Sequence, residues 1–181
     1  MNRITQQMAR MIDLSAVQAT NTEADIRQCA ELAIRYNIIA IHVLPCWTRF
    51  LSTLLPEQGR GEIMIGGPVG FPSGDHATET KVQEVRQLIC DGAREVGIVV
   101  NIGKVLSGRF DEVKLDLQRV VEAAAPIEAK VILETHYLDE QQIRRVCDIA
   151  VEAGMKWIKT STGWAASGAT EEKVAIIADQ L

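Results

Sequence analysis

The run KWIKTSTGWAASGAT, residues 156–170, sets Lys159 in the middle of an apolar, β-favouring stretch and follows it at once with Ser161, Thr162 and Gly163. Strand interiors select β-branched and aromatic side chains, so an ammonium group at this place needs a reason. For a lone strand lysine the general reason is a position at a strand end, from which the side chain snorkels to water. The other reason is chemical, and it depends on what surrounds this strand.

Working outward, short apolar runs alternate with stretches of helical period. The runs that read as strands are MIDLSAV (11–17), IIAIHVL (38–44), EIMIGGPVG (62–70), EVGIVVNIG (95–103), KVILET (130–135) and KWIKTS (156–161), with six candidate helices among them. This is the pattern of βα units around a parallel sheet. Thr22 with Asp25, Asp139 with Gln142, and Thr170 with Glu171 and Glu172 mark helix starts, because each puts an acceptor or a negative charge at a helix N-terminus. Gly154 in EAG marks a stop. With no linker or low-complexity segment, residues 1–181 read as a single domain.

Composition narrows the function. A chain of 181 residues with 47% hydrophobic content can bury one core, and a formal charge of -5 without a Lys/Arg block argues against a nucleic-acid surface. The expected partner is a small metabolite. Cys29, Cys46, Cys90 and Cys147 form no CxxC pair, so neither a zinc ribbon nor a disulfide framework is indicated, and a reducing cytoplasm fits. The N-terminal MNRITQQMARMIDLS has no apolar core of a signal peptide, and no segment approaches the roughly 20 apolar residues of a membrane span. No membrane partner is expected, and homo-oligomer formation stays open.

Two parallel architectures compete. An open dinucleotide-binding sheet would show GxGxxG after its first strand, and a P-loop protein GxxxxGK[ST]; the first strand here runs into DLSAVQAT and neither motif occurs. A TIM (β/α)8-type barrel is the expectation. Such barrels carry their chemistry at the C-terminal ends of the strands, where this chain concentrates Asn101, Glu134, Thr135, His136, Lys159, Ser161 and Thr162.

These residues carry a resemblance. IKTSTG (158–163) with GAT (168–170), KVILET (130–135), GGPVGFPSG (66–74), ETKVQEV (79–85), VVNIGKVLSG (99–108) and MIDLS (11–15) together resemble the deoxyribose-phosphate aldolases of the class I aldolase superfamily, in the family's order and from about residue 11 onward. The resemblance implies a TIM barrel and a lyase that cleaves a phosphorylated sugar, such as 2-deoxyribose 5-phosphate, to acetaldehyde and glyceraldehyde 3-phosphate. It gives Lys159 the Schiff base and requires no metal or organic cofactor. An amine attacks a carbonyl only when deprotonated, so burial or a second cation must lower the pKa of that lysine, which is the chemical reason sought for Lys159.

Further roles follow from the same resemblance. Lys130 matches a family lysine and is either a site cation acting on Lys159 or a lysine at the N-terminal end of its strand facing water. Asp13 matches an aspartate near the substrate hydroxyls, although the family continues HTLL where this chain has LSAV. Ser161, Thr162 and Gly163 fall where the family's strand-six loop approaches the substrate and its phosphate, and backbone N–H groups can converge on an anion there. They can equally be turn residues. Asn101 joins the substrate-binding set.

The chain also departs from the family. Gly97 stands where the family has the aspartate of its proton relay. His42 replaces a cysteine or small residue in the second strand, as a pocket residue or a satisfied core histidine. Six βα units are visible where the family has eight, so the barrel is expected to lack its last two. Two alternatives remain: a metal-dependent aldolase using His42, His76 and His136, and a catalytically silent barrel that binds a sugar phosphate or a partner chain.

Overall fold

The computed structural model describes residues 3–55 and 63–181; Met1, Asn2 and Glu62, the first residue of the third expected strand, lie outside them. In chain order the elements are α1 (Arg3–Ala9), β1 (Asp13–Ala16), α2 (Glu23–Tyr36), β2 (Ala40–Val43), α3 (Pro45–Leu54), β3 (Met64–Val69) and α4 (Thr78–Cys90), followed by β4 (Glu95–Val99), α5 (Ile102–Leu106), α6 (Phe110–Ala124), β5 (Glu128–Ile132), α7 (Glu140–Ala153), β6 (Trp157–Lys159) and α8 (Glu171–Gln180). The strand order is β1-β2-β3-β4-β5-β6, with parallel pairing. A doubly wound sheet reverses its order at a switch point, whereas consecutive neighbours are the order of a (β/α) barrel. The α/β barrel class expected from the sequence is the class observed.

Two compact units make up the chain, one from residues 1–68 and 87–95, the other from 69–86 and 96–181. In the first, Asp25 Oδ2 accepts the Thr22 backbone N–H at 2.6 Å and opens α2, and Asn37 closes it in the left-handed region at φ 53°. Ile26, Ala30 and Ala33 recur at helical spacing and put one face of α2 into a core with Ile41, Val43 and Leu51. Every residue of β2 is buried, as in a parallel strand covered on both faces.

In the second unit, Asp139 and Gln142 form a reciprocal cap on α7, with bonds of 2.8 and 3.0 Å, and Gly154 ends that helix at φ 86°. Thr170 Oγ1 accepts from Lys173 N at 3.2 Å at the start of α8. The apolar stripe of α6, Val113, Leu117 and Val120, is interrupted by Asp116, which is only 2% exposed. Its partner is Lys81 of α4, fully buried, with Nζ 2.5 Å from Asp116 Oδ2; Thr78 Oγ1 donates to the other carboxylate oxygen at 2.8 Å. Burial pulls the Lys81 ammonium below the usual lysine range, against the opposing pull of Asp116. Cys147 is buried in α7 and its thiol is pushed up to about 11 by burial.

All six expected strands have other bounds in the structure, β2 and β3 narrowing to Ala40–Val43 and Met64–Val69, and one segment changes type. The run 95–103 is a strand only to Val99: Asn101 Oδ1 accepts from Lys104 N at 3.0 Å and caps α5, so the NIG that read as strand enters a helix. The run 130–135 is a strand over Glu128–Ile132 instead, because Glu134 takes φ 51° and cannot continue an extended chain. β1 and β6 keep only their middle residues, Asp13–Ala16 and Trp157–Lys159. Eight helices are present among the described residues where six were expected, the additions including α1 and the split of one segment into α5 and α6.

Candidate active site

Lys159 is the last residue of β6 and pairs in register with Ile132 of β5, while Lys130 pairs with Trp157. Register partners in a sheet share a face and so do alternate residues along a strand, so Lys130, Ile132 and Lys159 point to the same side. One pleat and one strand spacing put the two lysine Cα atoms about 8 Å apart, within reach of two four-carbon side chains. Lys159 is half-buried and Lys130 is 7% exposed. The reading of Lys130 as a strand-end residue facing water is therefore overturned: it sits inside β5, third from its start.

Beyond the strands the backbone stays fixed. Leu133 N donates to Lys159 O, and Thr135 N to Thr160 O, both at 2.9 Å, so the ladder continues past the last strand residues. Ser161 and Thr162 are buried and Gly163 turns outward at φ 84°, a left-handed conformation that favours glycine. Thr162 donates its N–H at 3.0 Å, and its hydroxyl at shorter range, to Glu134 Oε2; its oxygen then accepts from Trp164 N at 3.0 Å. Lys173 Nζ donates to the carbonyls of Thr135 and, at 3.3 Å, Leu138, holding the start of α8 against the same segment. Asn101 is 9% exposed and uses its side-chain oxygen as the α5 cap.

Asp13 and His42 belong to the other unit. His42 Nε2 lies 2.8 Å from Glu95 Oε1 and 3.6 Å from Asp13 Oδ2, with both His42 and Glu95 buried. Gly66, the register partner of His42, leaves the space the imidazole fills: a Cβ there would stand 2.2 Å from the ring. Glu95 was not legible as the partner of His42, because the two residues meet only through the folding of separate strands. Glu134 was visible as a polar residue at a strand end, but not as the acceptor that organises the next loop.

The three histidines do not assemble. His76 lies 3.5 Å from Glu84, His136 Nδ1 is 2.6 Å from Ser167 Oγ, and His42 has its two carboxylates. Among the described residues the group that could hold a metal is Asp13, His42 and Glu95. The histidine trio considered from sequence is thus not brought together as a ligand set.

Consecutive parallel strands with a half-withdrawn lysine at the end of the sixth, and a second lysine buried on the same face, define a class: the lysine-dependent aldolases of the α/β barrel type. The sequence profile of the DeoC/LacD family aldolases matches residues 7–181, and the chain belongs to that family. The deoxyribose-phosphate aldolase of Klebsiella pneumoniae is 78% identical over 181 residues, which is 100% of this chain and 73% of that protein. That of Rhizobium meliloti is 42% identical over 174 residues, 96% of this chain and 69% of its own length. The tetrameric deoxyribose phosphate aldolase of Aeropyrum pernix superposes with a TM-score of 0.87 at 26% identity, covering 97% of this chain and 73% of that one. Among the described residues no helix is long and apolar enough to cross a membrane.

Proposed function

We infer that this chain is a class I aldolase acting on 2-deoxyribose 5-phosphate, with Lys159 as the nucleophile. The supporting observation is the shared face of Lys159 and buried Lys130 at the β5–β6 pair. Attack requires the neutral amine, and burial or a second cation is the general means by which a protein supplies it. Lys159 Nζ adds to the aldehyde carbon of the open-chain sugar and water leaves, giving an iminium. The bond between the second and third carbons then breaks, its electron pair moving to the iminium to form an enamine. The third-carbon hydroxyl loses its proton and becomes the carbonyl of glyceraldehyde 3-phosphate. Protonation of the enamine and hydrolysis release acetaldehyde and restore the amine.

In this reading Ser161 and Gly163 meet the phosphate-bearing end of the sugar, Thr162 belongs to the same turn with both of its donors held by Glu134, and Asn101 joins the substrate-binding set. In the same reading residues 1–181 belong to a single (β/α) barrel domain. The four free cysteines accord with a cytoplasmic setting. Self-association into a homo-oligomer belongs to the same reading, by likeness to the tetrameric Aeropyrum pernix protein. The test is a coupled assay for glyceraldehyde 3-phosphate release in the full chain: cleavage abolished by Lys159→Ala supports the reading, and cleavage that survives it overturns it.

A further inference from the structure

We propose that Glu134 is a positioning residue for this reaction: it fixes the turn 161–164 directly after the nucleophile and commits the Thr162 hydroxyl, leaving Ser161 as the hydroxyl that meets substrate. The inference rests on the aldolase reading above and deepens it.

Three observations carry it. Glu134 is 2% exposed and sits at φ 51°, a conformation non-glycine residues adopt rarely and hold only when surroundings fix it. Its Oε2 takes both donors of Thr162, the backbone N–H and the hydroxyl, so one carboxylate oxygen sets both the direction of the chain and the rotamer of the side chain. The Thr162 oxygen in turn accepts from Trp164 N, which carries the order across Gly163 to the Trp164 indole packed edge-on against Phe71 at 5.6 Å between ring centres.

The hydrogen-bond inventory then separates the two hydroxyls. A threonine hydroxyl has one proton, and that of Thr162 is given to Glu134, so it has none to donate to a sugar or phosphate. Ser161 Oγ is buried and has no hydrogen-bond partner, as have Glu134 Oε1 and Thr135 Oγ1 close by in sequence. Buried polar groups are satisfied as a rule, and an unsatisfied one at a strand end beside the nucleophile is explained by a ligand that supplies the partner. The chemistry such a group meets is an oxygen-rich one, a hydroxyl or a phosphate oxygen of the substrate.

The test compares the wild-type full chain with Glu134→Ala, Glu134→Gln, Thr162→Val and Ser161→Ala, using amide exchange, cleavage kinetics with 2-deoxyribose 5-phosphate, and borohydride trapping with acetaldehyde, which lacks the phosphate end. Glu134→Ala is expected to speed exchange of the Thr162 and Trp164 amides at least tenfold, to lower kcat/KM for the sugar phosphate at least tenfold through KM, and to leave acetaldehyde trapping at Lys159 within about threefold. Glu134→Gln keeps an acceptor oxygen and should recover most of the loss. Ser161→Ala should raise KM without changing exchange. Should Glu134→Ala fail to fold, Thr162→Val removes the hydroxyl alone and must reproduce the same KM-weighted loss. Faster exchange with unchanged kinetics, or equal losses for the sugar phosphate and acetaldehyde, would overturn the proposal by showing a purely structural role. A wild type that gives no adduct at Lys159 would instead overturn the aldolase reading, and with it the substrate role given to Ser161, while the exchange data still report on the turn.

Discussion

Gly97 lies against the stem of Lys130: a Cβ added at Gly97 would stand 3.5 Å from Lys130 Cγ and 3.8 Å from Cδ, in ordinary van der Waals contact. A side chain at 97 therefore fits, and it would emerge on the face that Lys130 shares with Lys159. Positioned acid–base groups contribute about 100-fold to 10,000-fold in rate. Wild-type turnover of 2-deoxyribose 5-phosphate should accordingly be low, and Gly97→Asp in the full chain should raise kcat by roughly 100-fold, measured on samples shown to be folded. High wild-type turnover that the substitution leaves unchanged or lowers would mean that another group already moves the proton.

The Lys81–Asp116 pair is expected to matter for stability rather than chemistry. Removing one member of a buried ion pair leaves the other charge without compensation, at a cost of about 3–5 kcal/mol. Urea denaturation of Asp116→Ala should show a loss of that order, and Lys81→Met combined with Asp116→Leu should recover most of it, since two apolar residues can fill the same space between α4 and α6. A loss below about 1 kcal/mol for the single variant would show the pair to be screened as a surface pair is.

Metal dependence separates the two aldolase chemistries. A Schiff base needs no Lewis acid, so cleavage should survive exhaustive chelation and should not respond to added zinc. Activity abolished by chelator and restored by zinc would move the chemistry to a metal, with Asp13, His42 and Glu95 as the group placed to hold one.

Much of this was readable before the fold was known, and the reason lies in the range over which each signal acts. The caps at Thr22, Asp139 and Thr170 and the stop at Gly154 are local, and each appears where the sequence placed it. The strand lysine at 159 was likewise visible, because a charge in an apolar run stands out within five residues on either side. Strand ends were less legible: Asn101 reads as a polar strand residue until its side chain is seen capping α5, and Glu134 reads as strand until its positive φ is known. Contacts between distant segments were not legible at all. Nothing near Lys130 in the sequence says that it is buried, nothing near His42 names Glu95, and Lys81 in an amphipathic helix looks like a surface lysine until Asp116 is found beside it.

The most direct measurement is chemical trapping of the nucleophile. Borohydride added to the full chain during incubation with 2-deoxyribose 5-phosphate or acetaldehyde should reduce the imine and leave one stable adduct, located by peptide mass mapping on the fragment containing WIKTSTG at Lys159. Lys159→Ala should lose it. An adduct that persists unchanged in Lys159→Ala, or that maps to Lys130 in the wild type, would contradict the assignment of Lys159 as the Schiff-base lysine.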